Sequence, residues 1–341
     1  MAKLAVIILN WNGESLLKEF LPSVVEYSNI NGVEVWIADN ASKDNSKFIV
    51  ESEFPTVKWL QLDKNYGFAG GYNRAIEKID CHYALLLNSD VKVSENWLIP
   101  LLNLMDNEPD VAACGPKLLD YKNPAMFEYA GASGGFIDRN AYVFCRGRIF
   151  KQIEDDHGQY NDTREVFWVS GAAMMVRRNE YLQFGGLDEE FFTHMEEIDL
   201  CWRMKNTGMK IKIVPESYVF HYGGATLSET NPFKTYLNFR NNLLMMYKNL
   251  PDKDFFWKLL KRKVLDTMAL GVELLKFKFK NVFAIIKAHL HYYKMIRKSY
   301  KIKRKENLKN ATNPNLKGMI NSNVVFLHFI GKLKRFSELE N

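Results

Sequence analysis

Through its first 120 residues the chain alternates short, wholly apolar runs with stretches of helical periodicity, and that alternation leaves few folds open. LAVIIL (4–9) has no polar face, so a strand made from it must be covered on both sides. VEVWIAD (33–39), VKWLQL (57–62), HYALLL (82–87) and VAACGPKL (111–118) read as four further strands. Helical patterns over 14–27, 42–52, 67–78 and 95–105 separate them. Ser42 is the expected cap of the second helix, and Pro22 is expected to kink or end the first. Strand and helix in alternation with short links predict an α/β fold, a parallel sheet with helices on both faces. Beyond residue 120 the pattern changes. Residues 131–148 are glycine-rich with short β-like runs, 166–178 reads as one buried strand, and 196–208 as a helix closed by Gly208. MKIKIVP and SYVFHY read as two short strands, everything from Asn231 as helical, and 307–318 as a linker loop.

The length, 341 residues, allows one large α/β domain with an appendage, or two domains. Cys81, Cys114, Cys145 and Cys201 are scattered and form no CxxC pair, so neither a zinc knuckle nor a disulfide framework is suggested. Asn10, Trp11 and Asn12 interrupt the apolar start too early for a secretory leader. No run is long enough to cross a membrane as a helix. The net charge of +6 is uneven. Between Lys248 and Lys305 stand 17 Lys and Arg against 4 Asp and Glu, which leaves the remainder acidic.

In a parallel α/β sheet, ligands bind outside the carboxyl ends of the strands. Those ends are polar here: Asn10-Trp11-Asn12, Asp39-Asn40, the segment reaching Asn65, and Asn88-Ser89-Asp90. Asn and Asp also favour turns, but four polar ends in succession favour a nucleotide site. No GxGxxG follows the first strand, which disfavours NAD-dependent oxidoreduction.

Six collinear segments, VIILNWNG, IADNASKDNS, NYGFAGGYNRAI, LLLNSDV, GGLDEEFFTHMEEIDLCWRMKNTG and HYGGAT, carry a resemblance. Over roughly residues 4–245 the chain resembles the family 2 inverting glycosyltransferases, in particular their bacterial rhamnosyltransferase-like and galactofuranosyltransferase-like branch. The resemblance implies a GT-A fold over 1–245, with a nucleotide-binding half (1–120) and an acceptor-binding half (121–245), followed by a basic helical extension (246–341). It implies a nucleotide-diphosphate sugar donor and Mg²⁺ or Mn²⁺ as cofactor. Asp39 matches the aspartate that bonds the base or ribose, and Asn10 and Asn65 match pocket-lining positions. Gly67, Gly70 and Gly71 match a segment that lets backbone approach the donor. Asn88-Ser89-Asp90 matches the D-x-D metal motif with Asn in place of the first Asp. His221 matches a position that supplies a further ligand. Glu196 and Glu197 match the family's acidic pair, with Glu197 the expected base and Asp199 a capping or orienting residue on the acceptor side. Trp168, Ser170 and Gly171 match the wall of the sugar and acceptor site.

From Phe256 onward, Leu260, Val264, Met268, Val272, Leu275, Phe279, Ile286, Leu290 and Tyr293 recur at helical spacing, with lysines on the other faces. Three readings compete: helices packed on the catalytic domain or in a homodimer, a basic amphipathic segment (252–305) on an anionic membrane, and nucleic-acid binding. The last lacks any recognition module and is set aside. The sequence thus predicts an inverting glycosyltransferase that moves rhamnose or a similar sugar from a dTDP- or UDP-sugar to a glycan acceptor. The acceptor is expected to be lipid-linked, in bacterial surface polysaccharide synthesis, with the protein cytoplasmic and peripheral on the inner face of the membrane. The alternatives are a sugar nucleotidyltransferase, disfavoured because LNWNGESLL offers no basic residue to cradle a triphosphate, and a non-catalytic nucleotide-sugar-binding protein.

Overall fold

The computed structural model describes residues 1–223, 231–297 and 299–339. Residues 1–120 run β1 (Ala2–Asn10), α1 (Glu14–Tyr27), β2 (Val33–Asp39), α2 (Ser46–Glu53), β3 (Lys58–Gln61), α3 (Gly67–Lys78), β4 (Cys81–Asn88), β5 (Val91–Val93), α4 (Leu98–Asn107) and β6 (Val111–Asp120). Next come β7 (Gly135–Asp138), β8 (Val143–Cys145), β9 (Arg148–Ile149), β10 (Gln152–Ile153), β11 (Arg164–Val166), β12 (Ala173–Arg177), α5 (Arg178–Gln183), α6 (Glu196–Asn206) and β13 (Lys210–His221). The chain closes with α7 (Pro232–Asn249), α8 (Asp252–Leu275), α9 (Phe279–Ile296), α10 (Ser299–Asn310), β14 (Met319–Ile320) and α11 (Val324–Phe329).

The main sheet has the order β11-β13-β6-β12-β4-β1-β2-β3, with β5 pairing β13. Strands β3, β2, β1 and β4 are mutually parallel, as the apolar runs predict, and Leu4 to Ile8 are buried from both faces. Strand β12 is an exception in a mostly parallel sheet. It enters antiparallel between β4 and β6, so the sheet is mixed. An apolar run reports burial on both faces but carries no sign of direction. The segment 166–178 is likewise two strands, β11 and β12, joined by a loop, while the two strands expected after Gly208 are one strand, β13, with an irregularity between Val214 and Tyr218.

Two local expectations also change. Helix α2 starts at Ser46, and Ser42 bonds Asp39 instead of capping it. Pro22 sits inside α1 without ending it. That helix opens at Gly13 without a side-chain cap of its own, and Asp44 Oδ2 from the following loop accepts the Glu14 N–H at 2.9 Å.

The segment after β6 carries a second sheet, β10-β9-β8-β7-β14, whose edge strand comes from the far end of the chain and runs parallel to β7. The predicted linker is mostly docked structure. Helix α10 reaches Asn310, Asn315 N–H donates to Lys205 O at 2.7 Å, and Gly318 (φ +85°) lies where a Cβ would stand 2.3 Å from Phe167 N. Only glycine fits there. All four cysteines are free and buried, as packing residues should be. Among the described residues no helix is long and apolar enough to cross a membrane.

Candidate active site

The carboxyl ends of β1, β2 and β3 place Asn10, Asp39 and Gln61 in one row, because the parallel register pairs Asn10 with Asp39 and Asp39 with Gln61. Side chains in register on one face are neighbours, and here they converge on the Asp39 carboxylate. Asn10 Nδ2 donates to Oδ1 at 2.9 Å, Gln61 Nε2 to Oδ2 at 2.8 Å, and Ser42 to both oxygens, Oγ to Oδ1 at 2.5 Å and N–H to Oδ2 at 2.8 Å. Asn10 Oδ1 is buried without a partner, and a Cβ on Gly13 would lie 2.3 Å from it. Gln61 was not singled out from the sequence, although the alignment of strand ends contained its signal, and Ser42 was read only as a helix cap.

Asn40 ties this row to α3. Its Nδ2 donates to Gly67 O at 3.0 Å, and a Cβ on Gly71 would lie 2.8 Å from that nitrogen. Asn65 Oδ1 accepts the Gly67 N–H at 2.8 Å, which shapes the turn at the helix start. Gly70 faces elsewhere: its missing side chain makes room for Tyr66, Arg74 and Glu189. It serves the packing of α3 and not the pocket wall.

At the end of β4, Asn88-Ser89-Asp90 lies against His221. Pairing of β5 with β13 sets His221 beside Asp90, with Nε2 3.2 Å from Asp90 Oδ1 and 3.5 Å from Asn88 Nδ2. The other ring nitrogen, Nδ1, lies 3.3 Å from Glu128 Oε1, close enough for an ion pair but without hydrogen-bond alignment. Burial opposes charge on this ring, yet Glu128 and Asp90 overcome it and push the imidazole up to about 10. Glu128 lies outside every sequence motif, and nothing in the sequence pointed to it. Among the described residues no three His, Cys, Asp or Glu side chains form a ready metal cage. The pair nonetheless fits a divalent ion. Two adjacent ligands of an octahedral ion at about 2.1 Å stand about 3 Å apart, which is close to the Asp90–His221 spacing; the Asp90 carboxylate suits such ions, and His221 would join it once the ion displaces the proton that Glu128 and Asp90 favour on its ring.

The acidic pair opens α6. Three residues ahead of it or at its cap, Phe192, His194 and Met195, have left-handed backbone (φ +69°, +68° and +73°). Such strain persists where surrounding structure over-determines it, and α7 supplies the restraint. Asn241 Nδ2 lies 3.0, 2.9 and 2.8 Å from the carbonyls of Phe191, Thr193 and His194, and Arg240 donates to Glu190 O and Phe191 O. Glu196 is 3% exposed, and burial, with the Glu197 charge, holds its carboxyl well above the usual range. Glu197 is partly exposed, but its Oε2 is sealed and unpartnered, and burial pushes it up to about 7. Its Cβ lies 3.7 Å from where a Cβ on Gly171 would be, and the next residue, Ala172, accepts the Asn88 N–H at 2.9 Å. The loop 168–172 therefore joins the metal-motif strand to the acidic pair.

The remaining wall residues divide. Gly171 and Ser170 sit on that loop, Ser170 with its Oγ 3.3 Å from Ala172 N. Trp168 is buried, donates to Phe136 O at 3.0 Å and packs on Gly135, so it acts in the core. Asp199 is fully buried, and its carboxylate binds Arg203, Lys248 and Asn249 at 2.7 to 2.9 Å. It locks α6 to α7, a structural role in place of the expected site role. The Gly224-Ala225-Thr226 end of the HYGGAT motif lies outside the described residues.

The family model Glycosyl transferase family 2 matches residues 5–178, just over half of the chain. An N-acetylglucosaminyl-diphospho-decaprenol L-rhamnosyltransferase of Mycobacterium tuberculosis is 25% identical over 241 residues, which cover 64% of this chain and 76% of that protein. Among solved structures, S. aureus TarS 1-349 in complex with UDP superposes with a TM-score of 0.55 at 16% identity, covering 91% of this chain and 89% of that one. The mannosyltransferase PcManGT from Pyrobaculum calidifontis, in complex with GDP-Man and Mn²⁺, gives 0.52 at 12% identity, covering 91% and 85%. These likenesses carry the GT-A architecture expected from the motifs.

Proposed function

The chain belongs to glycosyl transferase family 2, and from that premise we propose that it is an inverting, metal-dependent glycosyltransferase that moves rhamnose or a similar sugar from a dTDP- or UDP-sugar to a lipid-linked glycan acceptor. Family membership separates it from the sugar nucleotidyltransferases. The observation that carries the reading is the convergence, at the carboxyl ends of one sheet, of the Asn10–Asp39–Gln61 row, the Asp90–His221 pair and the Glu196–Glu197 pair.

In this reading Asp39 is the acceptor for the base or ribose, pre-aligned by Asn10, Ser42 and Gln61. The buried, unpartnered Asn10 Oδ1 is a waiting acceptor beside it. Asp90 and His221 would hold Mg²⁺ or Mn²⁺, which offsets the charge of the departing diphosphate. Glu197 is the general base. It is the more accessible carboxylate of the pair, and a proton affinity near 7 suits a group that must take a proton from the acceptor hydroxyl and later release it. The attack reaches C1 on the face opposite the diphosphate, so a single displacement inverts the anomeric configuration. Glu196, sealed and proton-bearing, positions its neighbour. The rhamnosyltransferase relative favours a prenyl-diphosphate-linked acceptor in bacterial surface polysaccharide synthesis, and hence work on the cytoplasmic face of a membrane.

A thermal-shift screen of dTDP-, UDP- and GDP-sugars with Mn²⁺, followed by transfer to a prenyl-diphosphate-linked sugar, tests the reading. Stabilisation by one nucleotide class and an inverted product support it. No stabilisation by any nucleotide sugar and no donor turnover would overturn it.

A further inference from the structure

Helix α8 turns a long apolar stripe outward. Its fully buried side chains are the charged Arg262 and Asp266, with Phe255 and Leu259 half-buried against the core, while Phe256, Trp257, Leu260, Val264, Met268 and Val272 face solvent. A helix on the surface of a globular protein does the reverse. The orientation is fixed by specific bonds. Arg262 donates to Asp266 at 2.7 Å and to Asn242 Oδ1 of α7 at 2.6 Å, and its guanidinium lies 4.2 Å from the Tyr142 ring centre. From α9, His289 Nε2 stands 3.2 Å from the second Asp266 oxygen. Breaking such a buried pair is costly, so the polar side is held inward and the apolar side outward.

Helix α9 continues the surface. Phe279, Phe283, Ile286 and Leu290 are exposed, and exposed Lys280, Lys287 and Lys294 recur every seven residues, which is one edge of a helix. At the turn between the helices the apolar Leu275 and Phe277 alternate with Lys276 and Lys278, and the two apolar side chains are 80% and 78% exposed. Residues 252–297 hold 11 Lys and Arg against 4 Asp and Glu, and one of those four is the buried Asp266. An apolar patch of this extent on a soluble chain marks a contact surface. Protein interface cores shed lysine, whereas here lysines are interleaved with the apolar side chains and flank them as a row. Neither helix can span a bilayer.

We propose that the α8–α9 hairpin is the seat of the protein on an anionic lipid surface. Its outward apolar face lies among the acyl-chain boundary and the lysine row meets lipid phosphates. The same surface leads to the active site by an aromatic row. His291 Nδ1 of α9 is 2.7 Å from Tyr236 OH, Tyr236 stacks on Phe233 at 5.8 Å, and Phe233 meets Phe192 edge-on at 6.0 Å. Phe192 in turn lies 3.4 Å from where a Cβ on Gly67 would stand. A lipid-borne acceptor resting in the same plane would reach the site along this row. That last step rests on the acceptor proposed above; the seat does not.

The test uses the full chain and sedimentation with phosphatidylglycerol-containing or pure phosphatidylcholine vesicles. Binding is expected to the anionic vesicles alone, to weaken with salt, and to shift Trp257 emission to the blue, a shift absent in W257F. K280Q/K287Q/K294Q is expected to weaken partitioning roughly 100-fold, at about 1 kcal/mol per lysine. L275S/F277S is expected to lose the emission shift. Both variants change exposed side chains, so thermal stability and turnover of soluble donor should stay unchanged, which separates a failed seat from a failed fold or a wrong assignment of activity. Equal binding to neutral vesicles, no binding at low salt, or a dimer in solution that L275S/F277S dissociates would each overturn the proposal, the last by making the face an interface between copies.

Discussion

Replacing Glu197 by Gln should make the protein more stable at alkaline pH while disabling it. The Glu197 carboxyl has an ordinary value of 4.5 and is pushed up to about 7 by burial. Because the folded value lies above the unfolded one, the bound proton contributes stability in full below about pH 4.5. That contribution disappears as the pH rises through about 7, and above it the ionised carboxylate is a net cost. At about 1.4 kcal/mol per pH unit the cost is at most about 3 kcal/mol, and because the side chain is not wholly enclosed, about 1–3 kcal/mol is the reasonable range. Glutamine cannot ionise, and its carbonyl can still accept the N–H groups of the helix start. For a chain of this length, about 2 cal/mol/K of unfolding entropy per residue converts 1–3 kcal/mol to roughly 1.5–4 °C. Thermal melts of wild type and Glu197→Gln should therefore coincide near pH 5 and separate by that amount at pH 9, with the variant higher. Transfer by the variant should fall by about 10²-fold or more, and wild-type turnover should rise with pH through about 7. A melting difference that is the same at both pH values would refute the sealed, proton-bearing carboxyl. Retained activity would refute its role as base, and Glu196→Gln, measured alongside, shows whether the role belongs one residue earlier.

Asp90→Asn should reduce metal-dependent donor turnover at least about 100-fold with little change in melting temperature, because it removes the one motif carboxylate; a Mn²⁺ titration that restores wild-type rates would contradict this. Asp39→Asn should weaken nucleotide-sugar binding roughly 10-fold, one charge-assisted hydrogen bond's worth, since it turns an amide toward the donors of Asn10, Ser42 and Gln61; isothermal calorimetry with Mn²⁺ reads it directly. Asn241→Ala leaves the carbonyls of Thr193 and His194 without the Asn241 donor and Phe191 O with only its other donors, Arg240 and the Thr193 N–H. It should cost about 1–3 kcal/mol in urea unfolding and lower kcat more than donor affinity, because the loop it restrains aims Glu197.

The parallel core and the row of polar strand ends follow from the order of residues alone. A strand buried on both faces must be apolar throughout, so its polar residues collect at its end, and four such ends in order announce where a ligand binds. That is why Asn10, Asp39, Asn88 and Asp90 stood out as a candidate site, whereas the acidic pair at the start of a helix stood out only through the resemblance of its segment to the family's motif. Tertiary structure alone decided relations between segments far apart in the chain. Apolar residues do not encode direction, so β12 could be predicted as a strand but not as an antiparallel one. Glu128 meets His221 across 93 positions, and Asn241 restrains a loop nearly 50 residues earlier, and no local pattern marks either pairing. The stripe of Phe256, Leu260, Val264, Met268 and Val272 was visible as a period of helical spacing. A period fixes which side chains share a face, not which way that face points. The Arg262–Asp266 pair, buried against Asn242 and His289, is what turns it toward the outside.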